Sequence, residues 1–251
     1  MQNIINEFNK KYVTKKELIY RIPKTINLDE FWSKLVEIRK DTAIVIPLKD
    51  QANNNFWFNI TENIQKNIYL IENSATEDLF KAIPIDIELS VITDSLIDEA
   101  YNSSVIEGAF STKKRTKEMV ENNLTPRDKN EKMILNNFYA LKYILDNIHN
   151  PLDENMILSI YRILTEDTLK EDEIVEKYRT DFVDVWDIKR GCFSYKAPEH
   201  SQVQYLMDDL IDFIHNNVDF HPLIKACIIH FYFVYIHPFF DGNGRTARAI
   251  S

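Results

Sequence analysis

The sequence predicts a mainly α-helical fold, and two observations support this prediction. Apolar residues recur at helical spacing in several segments, most clearly in the second half of the chain. The segment Pro222–Ile236 is apolar on nearly every side, and its proline suits the first turn of a helix. The 251 residues include only four glycines, well below the roughly 7% that is typical. Each glycine is therefore expected at a position where no other residue would fit.

Three amphipathic helices and one apolar helix are predicted in the second half of the chain. The apolar stripe of the first consists of Met133, Ile134, Phe138, Leu141, Ile144, Leu145 and Ile148. Asp153 suits the N-cap of the second, whose stripe consists of Met156, Ile157, Ile160, Tyr161 and Leu164. The third follows Pro198, and its stripe consists of Val203, Leu206, Met207, Leu210, Ile211 and Ile214. Pro222–Ile236 is shorter than the ~20 residues that cross a bilayer, and it predicts a central helix buried all round.

Residues 1–86 form an N-terminal region to which the sequence assigns no role. Ile44–Ile46, before Pro47, predicts a short strand. One further helix is predicted from the spacing of Ile60, Ile64, Ile68 and Ile71. Trp32 and Trp57 indicate that this region is packed, and we expect it to lie against the rest of the chain.

The charge balance and the cysteines limit the classes of partner and compartment. Thirty Lys and Arg against 39 Asp and Glu give a net charge of −9. Such a chain is unsuited to broad binding of nucleic acid or of anionic membranes. Two cysteines do not make a disulfide framework, and the polar first residues lack the apolar stretch of a signal peptide. These features predict a cytoplasmic location.

The most informative segment is His237–Arg248, which reads HPFFDGNGRTAR. Two of the four glycines flank Asn243, which is typical of a loop whose backbone approaches a ligand closely. We expect a helix to begin near Arg245, and the free N–H groups at its start would bind an anion. Arg245 and Arg248 are three residues apart, share a helical face and can both pair with phosphate oxygens.

Two further residues of this segment add reaction chemistry. Asp241 provides oxygen ligands of the kind that Mg²⁺ prefers where it bridges phosphates. His237 can accept a proton near neutral pH, although a histidine after an apolar helix is more often structural. Together the parts predict phosphoryl or nucleotidyl transfer to a hydroxyl group.

The same segment resembles the signature of the Fic family, H-x-F-x-D/E-G-N-G-R-x-x-R, at every specified position. Upstream, residues 103–108 read SSVIEG and resemble the inhibitory motif S/T-x-x-x-E-G/N of one class of Fic proteins. The resemblance extends from about Leu89 to the end of the chain. It implies a Fic-type helical bundle over residues 87–251, with an inhibitory helix at about 88–108. It also implies transfer of AMP from ATP to a Ser, Thr or Tyr hydroxyl of a protein.

The resemblance assigns a role to each residue of the signature. His237 would be the general base, and Asp241 would hold Mg²⁺ against the phosphates of ATP. The anion cradle around the α-phosphate would consist of Gly242, Asn243 and Gly244. Arg245 and Arg248 would bind the outer phosphates. The related Doc kinases carry Lys at the position of Gly244, so the glycine favours nucleotidyl over phosphoryl transfer.

The upstream motif implies self-inhibition. Ser103 and Glu107 are four residues apart and share a face of a helix, which Gly108 can end as a left-handed residue. The family places this glutamate against the second arginine of the signature, here Arg248. A carboxylate in that place would compete with the γ-phosphate, so we expect the wild-type chain to be weakly active. The same glutamate can position water for removal of AMP.

A hairpin before the signature is a candidate site for docking the target. Tyr178–Lys196 is rich in β-branched and aromatic residues, with a turn at Arg190–Gly191. It resembles the flap of Fic proteins, which binds the target segment by strand addition. The candidate docking residues are Arg190, Gly191, Cys192 and Phe193. The alternative is a surface hairpin without a partner.

Two alternatives remain open from the sequence. The chain stops at Ser251, three residues after Arg248, so the domain is expected to lack the rest of its last helix. A truncated Fic fold can act as a non-catalytic interaction protein. A related transferase can use another donor, such as a different nucleotide or phosphocholine. The target, which can be the chain itself, and the oligomeric state are not determined by the sequence.

Overall fold

The structure is a computed structural model that describes residues 2–74, 84–187, 191–216 and 219–251. The chain divides into two compact units, Met1–Ala82 and Ile83–Ser251. Helices account for most of the described residues in both units, and each unit contains one two-stranded antiparallel sheet among them. The predicted mainly α-helical fold with a small hairpin is therefore confirmed.

The first unit combines four helices with one hairpin in the part of the chain that is described. Its elements are α1 (Gln2–Lys10), α2 (Lys15–Leu18), α3 (Leu28–Lys40), β1 (Ile44–Lys49), β2 (Asn55–Phe58) and α4 (Glu62–Ser74). The predicted strand at Ile44–Ile46 is present and continues to Lys49. Its partner β2 was not predicted, and Pro47 lies where the register between the two strands shifts, a position that tolerates proline. The core of this unit consists of Ile5, Phe8, Val13, Leu18, Phe31 and Leu35.

Arg39 is buried in this core and joins α3 to the end of α1. Its guanidinium donates to the carbonyls of Phe8 at 3.3 Å and Val13 at 2.9 Å, and to Asn9 Oδ1 at 3.0 Å. It also lies over the ring of Tyr12, 4.3 Å from the ring centre. The predicted helix α4 is present, but none of its described residues is buried, so its isoleucine stripe contributes nothing to the core.

The second unit contains seven helices and a second hairpin among its described residues. Its elements are α5 (Ile85–Ile106), α6 (Lys113–Glu121), α7 (Lys129–Asp146), α8 (Glu154–Thr165), β3 (Asp184–Asp187), β4 (Cys192–Lys196), α9 (Val203–Asn216), α10 (Pro222–Ile236) and α11 (Asn243–Ile250). Helix α7 packs between α5 and α8, and α10 packs against α9 and α11. As predicted, Asp153 caps α8, accepting the Met156 N–H at 2.8 Å.

Helix α10 differs from the prediction that it is buried all round. Its buried residues are Ile228, Ile229, Tyr232, Phe233 and Ile236. On another face Cys227 is exposed and Phe231 is 47% exposed. The sequence could not indicate this, because apolar side chains also make up much of an ordinary protein surface. Within the described ranges, no helix has the length and apolarity needed to span a membrane.

A buried carboxylate joins α7 to the segments before it. Glu131 is 1% exposed and accepts hydrogen bonds from Arg115 Nε at 3.1 Å and from Arg127 Nε and N–H, both at 2.8 Å. The hydrogen bonds of Arg127, helped by those of Arg115, lower the pKa of Glu131 to about 2 against the cost of its burial. The carboxylate is therefore ionised across the physiological range.

Glu131→Gln is expected to lower the free energy of unfolding by about 1.5–3 kcal/mol at pH 7, as for hydrogen bonds to charged groups. Because the pKa is depressed in the folded state, the unfolded chain binds more protons between pH 4.5 and about 2. The contribution is therefore complete above pH 4.5 and is lost as the pH falls through that range. Urea unfolding at pH 7 and pH 3 measures both effects. Glu121→Gln, at an exposed ion pair, is the control, and an equal effect there would contradict the expectation.

Candidate active site

The loop between α10 and α11 begins with a left-handed residue. His237 has φ 52° and ψ 61°, and its N–H donates to the Phe233 carbonyl at 3.0 Å. This conformation ends α10 and turns the chain through Pro238 into the loop. Such a conformation is uncommon for a residue other than glycine and is typical of functional sites held by their surroundings.

Asn243 fixes the shape of the loop. Its side chain is buried, with Oδ1 accepting the Phe239 N–H at 3.0 Å and Nδ2 donating to the Phe239 carbonyl at 2.8 Å. Thr246 closes the first turn of α11 by donating its hydroxyl to the Gly242 carbonyl at 2.9 Å. The first N–H groups of α11 have no acceptor within a helix. These backbone N–H groups can therefore bind an anion, whereas the side-chain amide of Asn243 is already paired with Phe239.

Helix α8 provides the platform on which the loop lies. The ring of Tyr161 stacks on Phe239, with centres 3.5 Å apart and planes 6° apart. Gly242 has φ 84°, and a Cβ at this position would lie 2.8 Å from Thr165 Cγ2 and 3.2 Å from Tyr161 Cε2. Glycine is thus required here by the backbone conformation and by the closeness of α8.

Gly242→Ala is expected to destabilise the second unit by roughly 2–5 kcal/mol, the sum of a left-handed alanine and of overpacking. Gly191→Ala is the matched control, because Gly191 also has a positive φ, 61°, but nothing lies within 4 Å of a Cβ there. Gly191→Ala should therefore show only the loss of stability that a left-handed alanine causes. Chemical denaturation of both variants measures the difference, and equal losses would show that contact with α8 is unimportant.

His237 is held as a neutral imidazole. Loss of hydration on burial, together with the positive charge of Arg179, lowers the pKa of His237 to about 4, whereas the Val234 carbonyl, Glu107 and Asp241 act in the opposite direction. Nδ1 is buried without a hydrogen bond to any described residue. At neutral pH the ring can therefore accept a proton.

Asp241 is the carboxylate of the loop that faces solvent. Its side chain is 43% exposed, Oδ1 accepts the Gly242 N–H at 2.6 Å, and Oδ2 lies 3.6 Å from Arg245 Nη2. No cluster of three or more His, Cys, Asp or Glu occurs in the part of the chain that the structure describes. A magnesium ion would therefore rely on this one carboxylate and on substrate phosphates, which is a common arrangement for Mg²⁺.

The two arginines of the signature do not face a common ligand in this structure. Arg245 is 1% exposed, donates from Nη1 to the Leu164 carbonyl of α8 at 3.0 Å, and has a buried Nε without a described partner. Burial lowers the pKa of this guanidinium. Arg248 points instead towards α5. The shared face expected from their spacing is thus divided between two neighbouring helices, and phosphate binding by Arg245 stays a prediction.

Arg248 is bound by the end of α5. Its Nη2 donates to Glu107 Oε1 at 2.6 Å and to the Ser103 carbonyl at 3.1 Å, and its Nε donates to Ser103 Oγ at 2.8 Å. Gly108, with φ 92°, follows Glu107 and ends the helix. The Gly108 and Ala109 N–H groups donate to the Val105 and Ser104 carbonyls, both at 3.0 Å, which is the Schellman arrangement. This cap holds Glu107 at a fixed place.

The carboxylate of Glu107 also lies over the start of α11. A Cβ on Gly244 would overlap Glu107 Oε1 and would lie 3.4 Å from Arg248 Nη1. The carboxylate is therefore at the N-terminal end of α11, where the helix dipole favours an anion.

The predicted hairpin is formed by β3 and β4. Their register pairs Val185 with Tyr195 and Trp186 with Phe193, with an irregularity between the two pairs. Gly191 has a positive φ and Phe193 is exposed, whereas the expected turn residue Arg190 lies outside the described residues. Cys192 pairs with Asp187 in the strand register. Docking of a target on this hairpin stays a prediction.

Arg179 is a site residue that the sequence did not single out. It precedes β3, is 2% exposed, and donates from Nε to the His237 carbonyl at 2.8 Å. Its own N–H donates to the Pro238 carbonyl at 2.9 Å. A single arginine between a tyrosine and a threonine has no pattern that indicates such a contact, which joins residues 58 positions apart.

The fold and the loop together define a known class of domain. Residues 151–251 match the sequence profile of the Fic/DOC family, and this part of the chain is a Fic/DOC family domain. The profile covers α8 to α11 and the hairpin, so it includes the loop and its platform. Helix α5, which carries Ser103 and is followed by Glu107 as its C-cap, lies outside the matched residues.

Relatives are found among curated proteins and solved structures. The chain is 25% identical over 172 residues to protein adenylyltransferase Fic of Nematostella vectensis, covering 63% of this chain and 37% of the relative. It is 29% identical over 163 residues to protein adenylyltransferase fic-1 of Caenorhabditis briggsae, covering 60% and 30%. The matches thus span about a third of these relatives.

Two solved structures show the same fold. A Fic family protein from Desulfovibrio desulfuricans G20 superposes with a TM-score of 0.61 at 23% identity, covering 76% of this chain and 57% of that one. Fic-1 from C. elegans superposes with a TM-score of 0.64 at 17% identity, covering 99% and 66%. At these identities the similarity concerns the fold alone.

Proposed function

We propose that this chain is a self-inhibited protein adenylyltransferase, which moves AMP from ATP to a Ser, Thr or Tyr hydroxyl of a protein. The observation that carries the proposal is the 2.6 Å contact between Glu107 Oε1 and Arg248 Nη2 across the anion-binding end of α11. The names of the curated relatives, which are protein adenylyltransferases, support the same reaction class.

The proposed reaction uses groups that the loop holds close together. A target hydroxyl would give its proton to His237, and its oxygen would form a bond to the α-phosphorus of ATP. The bond between that phosphorus and the bridging oxygen to the β-phosphate would break, and pyrophosphate would leave. The N–H groups of Gly244 and its neighbours would stabilise the charge on the α-phosphate. The neutral state of His237 at pH 7 supports its role as base.

Asp241 is the residue that would hold Mg²⁺. Bound there, the ion would neutralise charge on the phosphates of ATP. Oδ2 of Asp241 is the atom that supports this role, because Oδ1 already accepts the Gly242 N–H and the side chain is partly exposed. The hairpin β3–β4 would present the target segment to His237 by strand addition, and the target can include a second copy of the chain.

Inhibition would result from competition between Glu107 and ATP for the guanidinium of Arg248 and for the space over Gly244. Glu107 takes a donor of Arg248 that the γ-phosphate would otherwise use, and its carboxylate lies over Gly244. ATP bound beside it would have a displaced triphosphate, with the α-phosphorus poorly aligned for attack. We also propose that the same carboxylate orients a water molecule, so that removal of AMP from a modified protein is a second reaction of the chain.

Transfer of label from ATP tests the reaction type. The Glu107→Gly variant is incubated with Mg²⁺, a cell lysate and ATP labelled at the α- or the γ-phosphate. Because kinases of the lysate also transfer the γ-phosphate, each label is compared with that found with Glu107→Gly/His237→Ala. Protein-bound label above this background from the α-phosphate alone is the expected result. Such label from the γ-phosphate alone would identify a kinase, and none from either would favour a non-catalytic interaction protein.

A further inference from the structure

Arg179 connects three parts of the second unit through backbone carbonyls. Besides His237, its guanidinium donates from Nη1 to the Asp181 carbonyl at 2.8 Å, and from Nη2 to the carbonyls of Pro198 and, at 3.4 Å, Ile236. Asp181 precedes the hairpin β3–β4 and Pro198 follows it. One buried side chain therefore holds both ends of the hairpin against the end of α10.

The acceptors around this guanidinium distinguish it from a structural ion pair. The hydrogen-bond acceptors that the described residues provide are all backbone carbonyls, and Glu199 acts on the charge without a hydrogen bond among the described residues. Burial of an arginine is costly, and it lowers the pKa of Arg179. A planar fork with five donors on three nitrogens can bind carbonyls that lie on different sides of it, whereas lysine carries three donors on one nitrogen and an apolar residue carries none. The site thus requires the shape of arginine.

The carbonyls that Arg179 binds lie where helix α10 ends. Ile236, His237 and Pro238 are the three residues at which α10 ends and the left-handed turn begins, and Arg179 binds the carbonyl of each. A left-handed histidine needs such support from its surroundings. The other end of the guanidinium holds the base of the hairpin that is the candidate docking site for the target.

We propose that Arg179 is a positioning residue, which fixes the His237 turn and the base of the hairpin in one register so that a docked hydroxyl meets the imidazole. This inference rests on the proposed function, because it assigns the hairpin and His237 to the same reaction. It adds a residue from outside the two sequence motifs.

The charge of Arg179 has a second effect on His237. It lies near the imidazole and opposes protonation of the ring. Loss of the positive charge would therefore raise the pKa of His237, whereas a lysine in its place would keep the charge and lose the fork. Geometry and charge can thus be separated with two substitutions.

The experiment compares Arg179→Lys and Arg179→Met in the active Glu107→Gly background. Both are expected to lower kcat for AMP transfer at least about tenfold, because misplacement of reacting groups by about 1 Å can cost about 100-fold. The dissociation constant of ATP should change less than about twofold. NMR titration should show a raised His237 pKa in Arg179→Met and a smaller change in Arg179→Lys.

Arg39→Met is the matched control. Arg39 is also a buried arginine that donates to backbone carbonyls, but it lies in the first unit. The Arg39→Met substitution should lower the thermal unfolding midpoint of the first unit and leave kcat for AMP transfer unchanged. Folded Arg179 variants with the kcat of the Glu107→Gly parent would overturn the proposal, as would equal losses of kcat and of ATP affinity.

Hydrogen exchange of the Glu107→Gly parent tests the proposal if the substituted chains do not fold. The amides of Arg179, Ala197 and His237 are bonded to Pro238, Val183 and Phe233, and a single unit should open with similar free energies. Protection factors within about tenfold are expected, and differences above about 1,000-fold would overturn the proposal. Absence of α-label in the parent would refute the proposed function instead, while exchange and titration still report on Arg179.

Discussion

Glu107→Gly is expected to raise kcat/KM for AMP transfer about 10- to 100-fold over wild type. Hydrogen bonds to charged groups contribute about 1.5–3 kcal/mol, and 1.4 kcal/mol is a factor of ten. The substitution removes the carboxylate from Arg248 Nη2, which keeps its bond to the Ser103 carbonyl, and empties the space over Gly244. Ser103→Ala should have a smaller effect, because it removes only the hydroxyl that accepts from Arg248 Nε. Initial rates with α-labelled ATP measure both.

Glu121→Gly is the matched control for this substitution. Glu121 also lies at the end of a helix, α6, and its side chain is exposed and paired with a lysine. The same loss of a glutamate and gain of a glycine should leave the rate of transfer unchanged. An equal increase in the control would show that helix fraying, and not the freed arginine, causes activation.

His237→Asn in the Glu107→Gly background is expected to lower kcat about 100- to 10,000-fold, the usual contribution of a positioned acid or base. Asparagine is chosen because it tolerates the left-handed conformation that position 237 requires. The fold should therefore persist, and the unfolding midpoint should change little. Retention of more than about a tenth of the parent kcat would show that another group accepts the proton.

The pH dependence of kcat/KM in the Glu107→Gly variant tests the protonation state of His237. An ordinary histidine would lose activity below pH 6.5, but the pKa of His237 is lowered to about 4, so kcat/KM should stay nearly constant down to about pH 5. The free energy of unfolding also decreases as the pH falls. The unfolded chain binds the extra proton between pH 6.5 and 4, so the free energy of unfolding falls as the pH falls through that range. An acid limb near pH 6.5 would contradict this.

The sequence predicted the position of the loop between α10 and α11 better than it predicted the contacts of the individual side chains. The resemblance to the Fic motifs predicted the contact between Glu107 and Arg248. The sequence itself indicated local properties, which are the helical spacing of Ser103 and Glu107 and the left-handed Gly108. It could not show that the amide of Asn243 would be used by Phe239 or that Arg245 would be buried under α8. Those outcomes depend on which helix packs against α11, which is a tertiary property.

Similar limits apply to the fold. Helices with a clear stripe and a capping residue, such as α8 after Asp153, were predicted with their starts. Strand β2 was missed because its partner lies across a turn and its four residues carry little periodicity. Arg179 was missed because its acceptors are backbone carbonyls, which leave no residue-type pattern in the sequence.

The most direct test of the central claim, competition between Glu107 and the γ-phosphate for Arg248, is the affinity of the chain for ATP and for AMP. Calorimetry on wild type, Glu107→Gly and Glu107→Gly/Arg248→Ala needs no knowledge of the target. We expect Glu107→Gly to bind ATP at least about tenfold more tightly than wild type and AMP within about twofold, with the gain for ATP absent in the double variant. Equal gains for ATP and AMP, or an ATP gain that persists without Arg248, would contradict the account.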